Sequence, residues 1–200
     1  MAVSVDRDLE YAGGWFEKAA GIGMLDESEK AQLVIQFRVI GEWYLDILRE
    51  DPDIYGYPQK AEDMFAWAVK FGDAETAMRI ASIYEAAEEL PDHKEKAAKW
   101  LKKSADLGSA LALYNLGVCY QDGNGVSQDE VHARQLWEKA AAQNLADAQF
   151  WLGVMYYNGE GGLVRDLTAA KKLVQKAADQ GFEQAKEMLA GTWFTNPYYK

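Results

Sequence analysis

Two stretches of the chain have the composition of ligand loops: "DGNGVSQDE" at Asp122–Glu130 and "NGEGGLVRD" at Asn158–Asp166. Glycine-rich turns of this kind can hold a phosphate on backbone N–H groups or surround a calcium ion with oxygens. A calcium loop needs oxygen ligands at alternate positions and a Glu at the twelfth. Asp122 and Asn124 meet the first two requirements, but Val126 stands at the third and Ala133 at the twelfth. A nucleotide phosphate loop needs Gly-Lys followed by Ser or Thr, which the sequence lacks. A dinucleotide fingerprint must follow a strand, whereas both stretches follow segments of helical periodicity. They therefore read as turns. Gly123 and Gly159 end one helix, and Ser127 with Glu130 forms a capping box that opens the next. Asp166 caps the corresponding helix further on, and Asp92 with Glu95 does so in an earlier unit.

The remaining reactive side chains are few. His93 and His132 have no metal-ligand spacing to each other or to Cys119, and a zinc site needs three or four ligands. Cys119 lies in an apolar helical segment and reads as a buried small residue. Nucleophilic catalysis needs a nucleophile, a base and an orienting acid to converge. A hydrolase-type enzyme would require a fold that gathers His93 or His132 with acids. No catalytic residue, metal ligand or cofactor is assigned.

The turns recur because the chain recurs. Gly72, Gly108, Asn144 and Gly181 fall at spacings of 36, 36 and 37 residues. Eleven positions before each lies an alanine (Ala61, Ala97, Ala133, Ala170), and seven before lies Phe65, Leu101, Trp137 or Val174. Eight after lies Ile80, Leu116, Leu152 or Leu189, then a small residue (Ala81, Gly117, Gly153, Ala190). Twelve after lies an aromatic: Tyr84, Tyr120, Tyr156 or Trp193. Offsets of three, four, seven and eight are helical, so each unit is two amphipathic helices joined by short turns. The small residue lets neighbouring helices approach, and the aromatic fills the gap between repeats. Asn144 is the next best residue after Gly for a left-handed helix end. A helix pair cannot bury its apolar face alone, so stacking supplies the core. The pattern weakens toward the N-terminus, in "AGGWFEKAAGIG" at 12–23 and "IGEWY" at 40–44. Between them one long helix is expected, opened by an Asp26/Glu29 capping box.

This pattern resembles the Sel-one-like repeat family, a relative of the tetratricopeptide repeat. One unit matches it with Ala112, Leu116, Gly117, Tyr120, Gly123, Gly125, Val126, Asp129, Ala133, Trp137, Lys139, Ala140 and Ala141. The next matches with Ala148, Leu152, Gly153, Tyr156, Gly159, Gly161, Asp166, Ala170, Lys176, Ala177 and Ala178, with one extra loop residue and Val174 in place of Trp. The match is fullest over residues 97–190 and loses its glycines in "YEAAEELPDHKEKA". The resemblance implies an all-α fold, a right-handed α-solenoid of about four to five antiparallel helix pairs with an atypical N-terminal unit. Residues 1–60 would form that capping unit, 61–190 the repeats, and 191–200 an aromatic tail covering the last helix. Secreted members of the family staple each repeat with a cysteine pair, and the single Cys119 does not fit that subclass.

The resemblance also implies a non-catalytic module that binds a partner protein or peptide on its concave face, lined by the first helix of each pair. Once the core positions are assigned, that face takes Met78, Ser82 and Glu85 from one unit. The next gives Leu111, Tyr114, Val118, Gln121 and Asp122, and the following one Asp147, Phe150, Val154, Tyr157 and Asn158. The first unit adds Ile35, Arg38, Glu42, Leu45 and Asp46. Tyr114, Phe150 and Tyr157 are the expected anchors, because aromatics over polar neighbours carry binding energy. Replacing all three by Ala should then spare the helices and abolish binding.

Charge narrows the partner. The net charge is -11, with 11 Lys/Arg against 21 Asp/Glu in the first 100 residues and 10 against 11 in the last 100. Such a chain repels nucleic acid and anionic lipid and suits a basic protein partner. No apolar run reaches the roughly 20 residues of a spanning helix, and the N-terminus lacks the apolar core of a signal peptide. A cytoplasmic location is expected, or a periplasmic one for a chain whose leader has been removed. An immunity protein against a bacterial toxin is one concrete role, and a host-directed effector is the alternative. Oligomeric state is left open.

Overall fold

The structure, a computed structural model, describes residues 25–50, 57–86, 92–191 and 193–194. Side chains at 44–50 and 57–61 fall outside that set, as do the N-terminal segment 12–23, Leu45 and Asp46 as side chains, and the tail beyond Phe194. Among the described residues every regular element is a helix: α1 (Glu27–Glu50), α2 (Tyr57–Lys70), α3 (Ala74–Ala86), α4 (His93–Asp106), α5 (Ala110–Asp122), α6 (Glu130–Ala142), α7 (Ala146–Asn158), α8 (Leu167–Asp179) and α9 (Glu183–Ala190). The fold is that of an α-solenoid: α1 packs on α2, and α4 to α9 each pack on the next. The chain forms two compact units, Met1–Ala77 and Met78–Lys200.

In the first unit α1 opens with the expected capping box. Glu29 N–H donates to Asp26 Oδ1 and Asp26 N–H to Glu29 Oε2, both at 2.8 Å. Leu33 and Phe37 turn onto α2, where the Phe37 ring lies 6.1 Å from Trp67 and 6.3 Å from Phe71. Gly41, the small residue of "IGEWY", lies under the Phe65 ring, where an added Cβ would come within 2.6 Å of it.

In the second unit each second helix buries its alanine and its large apolar residue. Ala97/Leu101, Ala133/Trp137 and Ala170/Val174 are all 2% exposed or less. The recurring turn has one hydrogen-bond pattern. Asn144 N–H donates to Ala141 O at 3.0 Å and Leu145 N–H to Ala140 O at 3.3 Å. The same pair of bonds recurs at Gly108, at Gly181 and, in the first unit, at Gly72. Asn144 takes φ 67, the one left-handed non-glycine among the described residues.

Capping follows the sequence reading only in part. Asp166 caps α8 through the N–H groups of Thr168 and Ala169. The cap of α6 is Asp129, which accepts from His132 N–H at 2.9 Å, and not Ser127 with Glu130. Helix α6 starts at Glu130 itself, which puts Ser127 too far upstream to cap it. Asp92 stands at the start of α4 but makes no side-chain cap, and its carboxylate pairs with Lys96 at 3.5 Å.

The glycine-rich loops serve to join repeats. A Cβ on Gly125 would collide with the Lys94 carbonyl at the start of α4, so the loop lies directly on the preceding second helix. One repeat later Gly161 O accepts from Arg134 Nε of α6 at 2.9 Å. Trp193 departs from the repeat column. Helix α9 ends at Ala190, so Trp193 lies beyond it, 49% exposed, instead of filling a gap between helices. Its ring lies 5.4 Å from that of Tyr157, and Phe194 meets Tyr157 edge-on at 5.7 Å.

Candidate functional site

The small residue of the α5 repeat builds the floor of a groove. An added Cβ on Gly117 would overlap the Trp137 indole, so its absence lets α6 bring that ring under α5. Trp137 Nε1–H then donates to Tyr114 O at 3.0 Å, fixing the ring in place. Tyr114 and Trp137 stack at 6.3 Å with 28° between planes, and the Trp151 ring of α7 also lies 6.3 Å from Trp137, tilted by 32°. Between α5 and α7 these three rings bound a cavity of about 210 Å³. Helix α5 adds Val118, Gln121 and Asp122 to its wall, α7 adds Val154 and Met155, and Glu160 stands at its end.

The wall is apolar at the floor and acidic at the rim. Asp122 and Glu160 are its ionisable carboxylates, and none of its lining residues is a cation. Asp147 acts on Tyr114 from α7. Burial, then the Asp147 charge, raises the Tyr114 hydroxyl above its usual range, and a hydrogen bond with the Trp151 side chain opposes the shift. Asn158 Nδ2 donates to Glu160 Oε1 at 2.9 Å, which fixes that carboxylate. Gln121 Oε1 is buried and accepts no hydrogen bond.

The structure gathers five of the expected contact residues at this groove: Tyr114, Val118, Gln121, Asp122 and Val154. Leu111 lies one turn before Tyr114, 48% exposed. Met78 is half-buried on α3, and Ser82 is exposed with its hydroxyl donating to Met78 O at 3.2 Å. Asp147 is half-buried and Asn158 exposed. Glu85 faces a different cavity, of about 620 Å³, which it lines with His93, Lys94, Ala97, Cys119 and Asn124. Burial, then Glu85 and Asp122, pushes the Cys119 thiol up to about 11. His132 is turned elsewhere, its ring 4.2 Å from Tyr120.

Phe150 and Tyr157 are corrections to the expected face. Phe150 is 8% exposed and packs on Phe182 with ring centroids 5.1 Å apart. Tyr157 is 7% exposed, enclosed by Trp193 and Phe194, and its hydroxyl donates to Trp193 O at 3.2 Å. Both side chains belong to the core of the C-terminal repeat, because α9 and the segment after it cover the face that α5 leaves open. The sequence reading passed over Trp151, which is 41% exposed and closes the groove. It stands seven after the loop residue, where the preceding units have Arg79 and Asn115. A Trp where those two units carry polar side chains was the signal.

Comparison with known proteins follows the same residues. A family model for the Sel1 repeat matches at 3–23, 77–109, 110–145 and 146–182. The chain is 26% identical over 162 residues to the Sel1-repeat-containing protein YjcO of Escherichia coli (strain K12), covering 78% of this chain and 65% of that one. It is 32% identical over 123 residues to the ERAD-associated E3 ubiquitin-protein ligase component HRD3B of Arabidopsis thaliana, covering 61% of this chain and 19% of that one. The match thus spans less than two thirds of the length of these curated relatives. Among solved structures it is similar to a Sel1 repeat protein from Oxalobacter formigenes, with TM-score 0.58 and 32% identity, over 63% of this chain and 94% of that one.

Proposed function

This chain belongs to the Sel1-repeat family, whose members are protein-interaction modules, and we propose that it grips a segment of a partner protein in the groove between α5 and α7. The observation that carries this is Trp151: a large ring, 41% exposed, set against the buried Trp137 with a cavity beside it. A rigid aromatic over a desolvated floor is where binding energy concentrates at interfaces. The acidic rim and the net charge of -11 favour a basic partner, whose approach such a field accelerates.

The family fold is typically a non-catalytic scaffold, and we assign this chain no chemistry of its own. A thiol raised to about 11 stays protonated at neutral pH and is a poor nucleophile, which supports that assignment. HRD3B is by name a component of a larger ligase, in keeping with an adaptor role here. Neutralisation of a basic toxin is the narrower form of the same proposal, resting on the acidity of the chain.

A photo-crosslinking residue placed at Trp151, with a second at exposed Lys172 on α8 as control, tests the groove in cells. One protein should be captured from position 151 and not from 172, and lost with Tyr114→Ala. Capture of that protein from 172 alone would refute the placement.

A further inference from the structure

We infer that the groove receives an arginine side chain of the partner. This rests on the groove being the contact face proposed above. Three features of the wall converge on a guanidinium. The first is the ring set: Tyr114 and Trp151 each lie 6.3 Å from Trp137, with interplanar angles to it of 28° and 32°. A flat cation lies against such faces through cation–π attraction and stacking. The second is charge. Asp122 and Glu160 line the groove with no cation among the lining residues, so an anionic or zwitterionic occupant is repelled and a cation is drawn in.

The third feature separates arginine from other cations. Gln121 lines the groove, and its Oε1, with almost no accessible surface, has no hydrogen-bond donor where it stands and meets an occupant only by a turn of the side chain. A buried acceptor left unpaired is costly, so an occupant that brings an N–H is favoured over one that does not. A trimethylated lysine suits an aromatic cage but has no N–H to give. An unmodified lysine donates, but as a strongly hydrated point charge that stacks poorly. Guanidinium alone combines a planar face, several N–H groups and a permanent charge.

The test needs only the intact protein and four capped pentapeptides, Gly-Gly-X-Gly-Gly, with X arginine, lysine, citrulline or trimethyllysine. Tryptophan fluorescence gives the affinities, and the indole N–H resonance of Trp151, identified by its loss in Trp151→Phe, reports the place. The arginine peptide should shift that resonance and bind about tenfold more tightly than the citrulline peptide, which has its shape without its charge. Added salt should weaken the arginine peptide and leave citrulline unchanged. Gln121→Met should cost the arginine peptide severalfold and leave trimethyllysine unaffected. Equal binding of arginine and citrulline, or tighter binding of trimethyllysine, would overturn the inference. If the Trp151 position crosslinks a partner yet shows no preference for arginine, the arginine falls and the groove stands. If it does neither, both fall.

Discussion

Replacing Phe150 by Ala and, separately, Trp151 by Ala separates core from groove at adjacent positions of α7. Phe150 is 8% exposed, with Phe182 at 5.1 Å and Trp151 at 5.4 Å from its ring. Truncating a buried Phe to Ala costs about 3–5 kcal/mol, the transfer of the ring plus the void it leaves. At about 2–4 °C per kcal/mol for a chain of this size, Phe150→Ala should lower Tm by about 6–20 °C. In stacked repeats the loss falls on the interface that was cut. Phe150 joins α7 to Phe182 at the start of α9, so amide-exchange protection should drop over Leu167–Ala190 first and persist in α5 and α6. Trp151 is 41% exposed, so its removal leaves no closed void, and Trp151→Ala should cost less than Phe150→Ala, about 2–3 kcal/mol. It should, however, abolish partner capture. Thermal melts with exchange mass spectrometry on both variants decide the matter. A Phe150→Ala protein that melts like wild type and loses its partner would show that the ring faces a ligand after all.

Gly117→Ala places a methyl against the Trp137 indole and should destabilise by about 1–3 kcal/mol in denaturant unfolding; a neutral result would mean that α5 and α6 can move apart freely. Asp166→Ala removes a cap that accepts two backbone N–H groups and should cost about 0.5–2 kcal/mol, whereas Asp92→Ala, at a helix start without a side-chain cap, should cost less. Equal losses in thermal melts would contradict the capping geometry. The Cys119 thiol is raised to about 11 in the fold and ionises near 8.5 when unfolded. Between those values the unfolded chain binds fewer protons, so stability falls as pH rises, by up to about 1.4 kcal/mol per pH unit. The unfolding free energy of wild type minus that of Cys119→Ala should therefore decline from pH 8.5 to 10.5. A flat difference would place the thiol in water.

Much of the architecture was legible because it is local. A left-handed turn residue, a helix-forming run and a small residue eight or nine positions on are set by backbone sterics and by the nearest helix. Repetition at 36 residues made each signal visible several times. Asn144 in a left-handed turn, Gly117 beneath Trp137 and the Asp26/Glu29 box all stand where the sequence puts them. The caps at Asp129 and Asp92 were less legible, because a shift of one or two residues in a helix start changes which side chain meets the free N–H groups.

The contact face was legible only as a column. Tyr114 and Phe150 hold the same place in successive repeats, six after Gly108 and Asn144. One ring lines an open groove and the other is buried. The difference lies in what packs on them. Phe182 closes over Phe150, at a position where the preceding unit has Leu145, and Trp193 with Phe194 closes over Tyr157. The sequence by itself therefore determined the repeat, its turns and the side of each helix that faces its partner helix, since these follow from residues a few positions apart. Tertiary structure alone decided which of the remaining aromatics meet solvent. Exposure belongs to a stack of neighbouring repeats, and no single repeat carries the information about what covers it.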